Sequence, residues 1–169
     1  TRIPVSFTKR YSTVESVYYP SDFQEKPEGT IYIHRLGYEY DANDDYTLVE
    51  NANIKVYLTT TSKMKFSGSD WGNLFEPSEL FKPEDMTKVF EGTFSSKPGT
   101  GNMMTFEFDE PFAYDTNTNL VVCIVKDGVC EENQYPLTFK SYDYHSDLAV
   151  SGVAEVYRTL RAESANAEY

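Results

Sequence analysis

From Ser12 onward, apolar and polar residues alternate with a period of two in short runs, separated by clusters of Gly, Pro, Asn and Asp. That period sends successive side chains to opposite faces of a strand, and turn signals at this spacing are those of sandwiches and barrels. The clearest run is Asn53 to Thr60, with Ile54, Val56 and Leu58 on one face and Lys55, Tyr57 and Thr59 on the other. It reads as a half-buried strand. Ser12 to Tyr19 reads as a short strand stopped by Pro20, and Gly29 to Tyr40 as a long one. The apolar phase of the long strand shifts between Ile31/Ile33 and Leu36/Tyr38/Tyr40, which predicts a bulge near His34 and Arg35. In Asn119 to Lys126, the residues Leu120 to Val125 are apolar on both faces, so this strand is expected at the centre of a sheet with both faces covered.

Strands are also expected at Met86 to Ser95, Met103 to Asp109, Leu137 to Tyr142 and Gly152 to Thr159, with a turn at Glu110-Pro111-Phe112-Ala113-Tyr114-Asp115. Between Thr61 and Asp85 the alternation breaks into a long loop rich in Ser, Gly and Pro. It still carries Phe66, Trp71, Leu74, Phe75, Leu80 and Phe81 and is expected to fold back onto the sandwich. The reading is an all-β, two-sheet antiparallel β-sandwich of jelly-roll type, one domain over residues 1–160 followed by a polar tail over 161–169.

Charge narrows the partners. Fifteen Lys and Arg against 27 Asp and Glu give a net charge of -12 over 169 residues, which repels phosphate backbones and anionic lipid surfaces. Nucleic acid is therefore not an expected partner. Membrane insertion is not expected either, because no run approaches the roughly 20 apolar residues that a helix needs to cross a bilayer. Aromatic residues make up 15% of the chain, which suits wide pleated surfaces covered by flat rings. Were Asp127-Gly128 a two-residue hairpin turn, Cys123 and Cys130 would be diagonal neighbours, too far apart for an unstrained bridge. Two reduced, partly buried thiols are expected.

The order of segments also resembles a known module. It comprises Tyr11-Ser12-Thr13-Val14-Glu15-Ser16-Val17-Tyr18, then Asn53 to Thr61, Phe66 and Trp71, and Thr87-Lys88-Val89-Phe90-Glu91-Gly92-Thr93-Phe94. Phe108-Asp109-Glu110-Pro111-Phe112-Ala113-Tyr114-Asp115 and Asn119-Leu120-Val121-Val122 complete it. Together these resemble the jelly-roll adhesin-like domains of secreted and surface proteins of Bacteroidetes, over roughly residues 11–150. The resemblance implies an extracytoplasmic accessory domain without an agreed catalytic site. Its Asp109-Glu110-Pro111-Phe112 motif reads as structural, as do Asn117 and Asn119, which tolerate tight-turn dihedrals. The chain departs from the pattern at Gly99-Thr100-Gly101-Asn102-Met103, where an aromatic residue is expected.

Enzyme signatures are missing. The only histidines are His34 and His145, with no Gly-x-Ser-x-Gly elbow, phosphate loop or His-Glu-x-x-His helix. Glu107, Asp109 and Glu110 are close in sequence, but alternation turns Glu107 to solvent and the other two begin a turn. Asp41, Asn43 and Asp45 place oxygens at alternate positions of a loop, as calcium prefers, although Tyr46 and Ala52 stand where an EF-hand needs Gly and Glu. Sugar stacking needs exposed rings, for which Trp71, Tyr38, Tyr40, Tyr57 and Tyr142 are the candidates. The expected function is a non-catalytic, extracytoplasmic module that binds glycan or protein at the cell surface. Two other readings stay open: a structural subunit of a surface appendage or phage particle, and a carboxylate-dependent glycosidase.

Overall fold

The computed structural model describes residues 4–7, 11–23, 28–42, 48–63, 81–127 and 137–139, and the backbone of 157–162. Eight strands carry it: β1 (Tyr11–Tyr18), β2 (Thr30–Ala42), β3 (Ala52–Thr61), β4 (Thr87–Phe94), β5 (Gly99–Asp115), β6 (Asn119–Asp127), β7 (Leu137–Phe139) and β8 (Tyr157–Ala162). They form two antiparallel sheets. One has the order β4-β3-β6-β1 with β8 completing the edge, and the other is β5-β2-β7. β8 runs two residues past the boundary expected at residue 160. No helix among the described residues is long and apolar enough to cross a membrane.

The pairing explains how the chain rolls up. β1 pairs with β6, β2 with β5 and β3 with β4, so the first half of the chain lies antiparallel to the second as a nested hairpin. Pairing of β3 with β6 closes the roll within one sheet, while β2 and β5 face it from the other. This is jelly-roll wiring. β6 lies between β3 and β1, and Leu120, Val121, Val122, Cys123 and Ile124 are all buried, as its two-faced apolar run predicts.

Between the sheets, Ile54, Val56, Leu58, Leu120, Val122 and Ile124 meet Tyr40, Met104, Phe106 and Tyr114. Aromatic contacts join the two layers. Phe90 on β4 lies 5.1 Å from Phe106 on β5, and Tyr40 on β2 lies 5.7 Å from Phe94 on β4. The Tyr18 and Tyr38 hydroxyls are 3.4 Å apart. Val5 and Phe7 belong to the same core, with the Phe7 ring 5.7 Å from Phe94.

The β2/β5 register carries the predicted bulge. Ile33 pairs with Phe112 and Arg35 with Glu107, so His34 alone stands opposite Phe108-Asp109-Glu110-Pro111. The extra residues are therefore on β5, and the turn expected from Glu110 to Asp115 is instead part of one strand that runs from Gly99 to Asp115. Pro111 lies where the ladder is interrupted, so its missing N–H costs no regular cross-strand bond. The real turn follows at residues 116–118. Asp115 closes it, accepting the Asn117 N–H at 3.0 Å through Oδ1 and the Thr118 hydroxyl at 2.7 Å through its carbonyl. Neither Asn117 nor Asn119 adopts a positive φ; among the described non-glycine residues only Asn51 does. Asn119 instead begins β6 and donates its amide to the Lys63 carbonyl at 2.8 Å.

Candidate binding face

The two sheets treat their outer faces differently. On the larger sheet the outward residues of β1 and β6, Glu15, Val17, Val121 and Cys123, are buried, whereas Lys88 and Glu91 of β4 are exposed. Phe81 and Met86 pack against Val17 and Val121, and the Phe81 N–H donates to Glu15 Oε2 at 3.2 Å. The described end of the long loop thus folds back across this sheet, as expected. Cys123 faces Glu15 in the β1/β6 register. Burial first, then the charge and hydrogen bond of Glu15, push its thiol well above the usual range. Cys123 is a free thiol, and Cys130 lies outside the described residues.

The outer face of the smaller sheet is open. β2 contributes Tyr32, His34, Arg35, Gly37, Glu39 and Asp41, and β5 contributes Ala113, Glu107, Thr105 and Met103 opposite them. Tyr32 is 64% exposed and Met103 56%, the two exposed large hydrophobic side chains among the described residues. Tyr32 pairs with Ala113, a side chain too small to shelter the ring. Arg35 Nη1 and Glu107 Oε1 are 3.8 Å apart with both side chains about 70% exposed, at 72% and 68%. A Cβ on Gly37 would lie 2.9 Å from Met103 Cε, so the thioether methyl rests over a bare stretch of backbone. At the far end Gly101, with φ 70, donates its N–H to Asp41 Oδ1 at 2.7 Å. The Asn102 amide donates to the Gly99 carbonyl at 3.0 Å and to the Lys97 and Pro98 carbonyls at 3.3 Å. Asn102 thus organises the loop where an aromatic residue is expected.

Of the rings predicted to stack on sugar, the three described ones, Tyr38, Tyr40 and Tyr57, are not brought together on an open face. Tyr38 turns inward, its ring edge-on to Phe106 at 6.4 Å, and burial with the neighbouring Tyr18 hydroxyl holds its phenol well above the ordinary range. Tyr40 is 1% exposed and belongs to the core, where its hydroxyl accepts the Lys97 N–H at 3.0 Å. Neither offers a ring face to solvent. The physical reason is the bulge: past His34, the tyrosines share the inward phase of Leu36. Tyr57 is half-buried on the larger sheet, across from Lys88 and Cys123. Trp71 and Tyr142 lie outside the described residues, as do Asn43 and Asp45 of the calcium candidate. Among the described residues no three His, Cys, Asp or Glu side chains converge as a metal site.

His34 is exposed at the bulge and His145 is outside the described residues. Glu107 faces solvent as alternation requires, and Asp109 and Glu110 are exposed within the bulge. Sequence reasoning missed Tyr32, Gly37 and Met103. The signal for Tyr32 was available, because Ile31 and Ile33 set the inward phase before the bulge and leave Tyr32 outward. The chain matches no family model, no curated protein and no solved structure.

Proposed function

We propose that this chain is a non-catalytic binding module of a secreted or cell-surface protein, of the adhesin-like kind, that engages glycan or protein through the outer face of β5-β2-β7. The asymmetry of the sandwich supports the reading. The larger sheet has the β1/β6 part of its outer face covered by Phe81 and Met86, with Lys88 and Glu91 exposed on β4, whereas the smaller sheet leaves Tyr32 and Met103 to solvent. With Tyr32 64% exposed, the ring forgoes part of the about 1.5–3 kcal/mol that full burial of a large apolar side chain supplies, a part that a bound ligand recovers. Two carboxylates of this face have partners: Glu107 lies 3.8 Å from Arg35, and Asp41 accepts the Gly101 N–H.

The test is a glycan and protein array, run with calcium and with chelator. Saturable binding in either class, with no turnover of polysaccharide, is the expected result. Polysaccharide cleavage that disappears in Glu107→Gln would replace this reading with a glycosidase. Binding abolished by chelator and restored by calcium would show that a cation takes part, and its loss in Asp41→Asn would place it at the loop that begins at Asp41.

A further inference from the structure

We infer that the cleft at one pole of the sandwich, where β1 begins and β4 ends, is an exchange site: it holds Val5-Ser6-Phe7 of its own chain, and in a dimer it holds the same segment of a second copy. The inference is independent of what the open face binds.

The cleft already has an occupant. Val5, Ser6 and Phe7 are 1%, 1% and 4% exposed, and the two apolar side chains belong to the main core. The segment reaches across the pole from β1 to β4. Its Ser6 N–H donates to Ser12 Oγ at 3.3 Å, and its Phe7 ring lies 5.7 Å from Phe94. The hydrogen bond takes a backbone group that any residue but proline supplies, so recognition falls to the apolar side chains on either side. A run of apolar, small and apolar residues is what this cleft accepts.

The walls stand without the occupant. Residues 4–7 contribute no strand to either sheet, so both sheets keep their ladders when the segment leaves. Phe94 packs on Tyr40 of β2 at 5.7 Å, and Tyr40 on Phe139 of β7 at 6.3 Å, which joins the two sheets next to Phe7. Just past Phe94, the Val49 N–H donates to Ser96 Oγ and the Ser96 N–H to the Val49 carbonyl, both at 2.8 Å. Release of the segment is therefore a local opening, which costs less than unfolding the sandwich.

Charge and tether point to a second copy. The first ten residues include Arg2, Lys9 and Arg10 and no Asp or Glu, so the other 159 hold all 27 acidic residues against 12 basic ones. The basic segment of one copy is drawn to the acidic body of another, which offsets part of the repulsion between two chains of -12. Only residues 8–10 join Phe7 to β1, and three residues span at most about 10 Å. A short connection of this kind favours swapping, and a reciprocal swap refills both clefts with identical contacts in a closed two-fold dimer.

The experiment has two arms, both on the full chain. In the first, Val5→Ser/Phe7→Ser and the milder Phe7→Ala are titrated calorimetrically with a synthetic peptide of residues 1–7. Each variant takes up one peptide, at least about tenfold more tightly than the parent, whose cleft is filled. In the second, size-exclusion chromatography with light scattering follows chains incubated just below their melting temperature. The parent forms a dimer whose share rises between about 10 μM and about 1 mM, as mass action requires, and Val5→Ser/Phe7→Ser stays monomeric. Peptide uptake no tighter than the parent's in variants with unchanged circular dichroism overturns the cleft as a peptide site. A parent that stays monomeric throughout, or a dimer that persists in Val5→Ser/Phe7→Ser, overturns the exchange. If the double variant unfolds, Phe7→Ala decides the first arm and the parent's concentration series the second.

Discussion

Replacing Phe106 with alanine tests the face-to-face packing that defines the sandwich. The ring is 1% exposed on β5 and meets Phe90 of the opposite sheet at 5.1 Å and Tyr38 at 6.4 Å. Removing a buried Phe side chain costs about 3–5 kcal/mol, combining lost transfer energy with the cavity left behind. Domains typically hold only about 5–15 kcal/mol in total. For a chain of this size each kcal/mol moves the midpoint by about 2–4 °C, so Phe106→Ala should lower Tm by about 6 to 20 °C. Equilibrium urea unfolding followed by circular dichroism measures the change, with an unchanged slope showing that two-state unfolding persists. Phe90→Leu combined with Phe106→Leu should show a coupling of about 0.5–1.5 kcal/mol from the ring pair. Tyr32→Ala, on the open face, should stay within about 0.5 kcal/mol of the parent. A loss below about 1 kcal/mol for Phe106→Ala, set against the usual cost of emptying a core site, would refute contact between the sheets at this point.

Two further perturbations address other parts of the structure. The Cys123 thiol is held above its ordinary range by burial and by Glu15, so the unfolded chain releases this proton at lower pH than the folded one does. Its stabilising contribution is therefore complete below about pH 8.5 and declines as pH rises beyond it. In a Cys130→Ser background, the urea midpoint should fall across that alkaline range and fall less in Cys123→Val; identical slopes would contradict the placement of Cys123. Partly buried Tyr38, also shifted upward, adds a loss of the same sign above about pH 10. Gly101→Ala should cost about 1 kcal/mol because of the left-handed backbone at φ 70. Gly37→Ala should change stability by less than about 0.5 kcal/mol, since only the flexible end of Met103 must move; thermal melts of the pair distinguish backbone strain from local crowding.

The strands were legible because alternation is a local property. β3 buries Ile54, Val56 and Leu58 as its pattern requires, and β6 is covered on both sides as its unbroken apolar run implies. The phase shift in β2 located the bulge to within a residue. It also carried the information that Tyr38 and Tyr40 turn inward with Leu36, which an abundance of tyrosine obscured. Glu15 shows what alternation cannot supply. A carboxylate on the outward phase of an edge-to-centre strand reads as solvated, yet it is buried because Phe81, far along the chain, crosses that face. Coverage of the β1/β6 face depends on such distant contacts, so the binding face could not be picked out from local pattern alone. β5 is a milder case. Glu110-Pro111 has turn chemistry, but pairing of Phe112 to Asp115 with Thr30 to Ile33 holds it within a strand.

The most direct measurement is an amide chemical-shift map of the isotopically labelled chain, titrated with the glycan or protein that the arrays identify. The account predicts that the largest shifts cluster on Tyr32, Arg35, Gly37, Thr105 and Glu107, on the outer face of β2 and β5, while Val17, Val121 and Cys123 remain unmoved. Shifts centred on Lys55, Tyr57 and Lys88 of the larger sheet would contradict it.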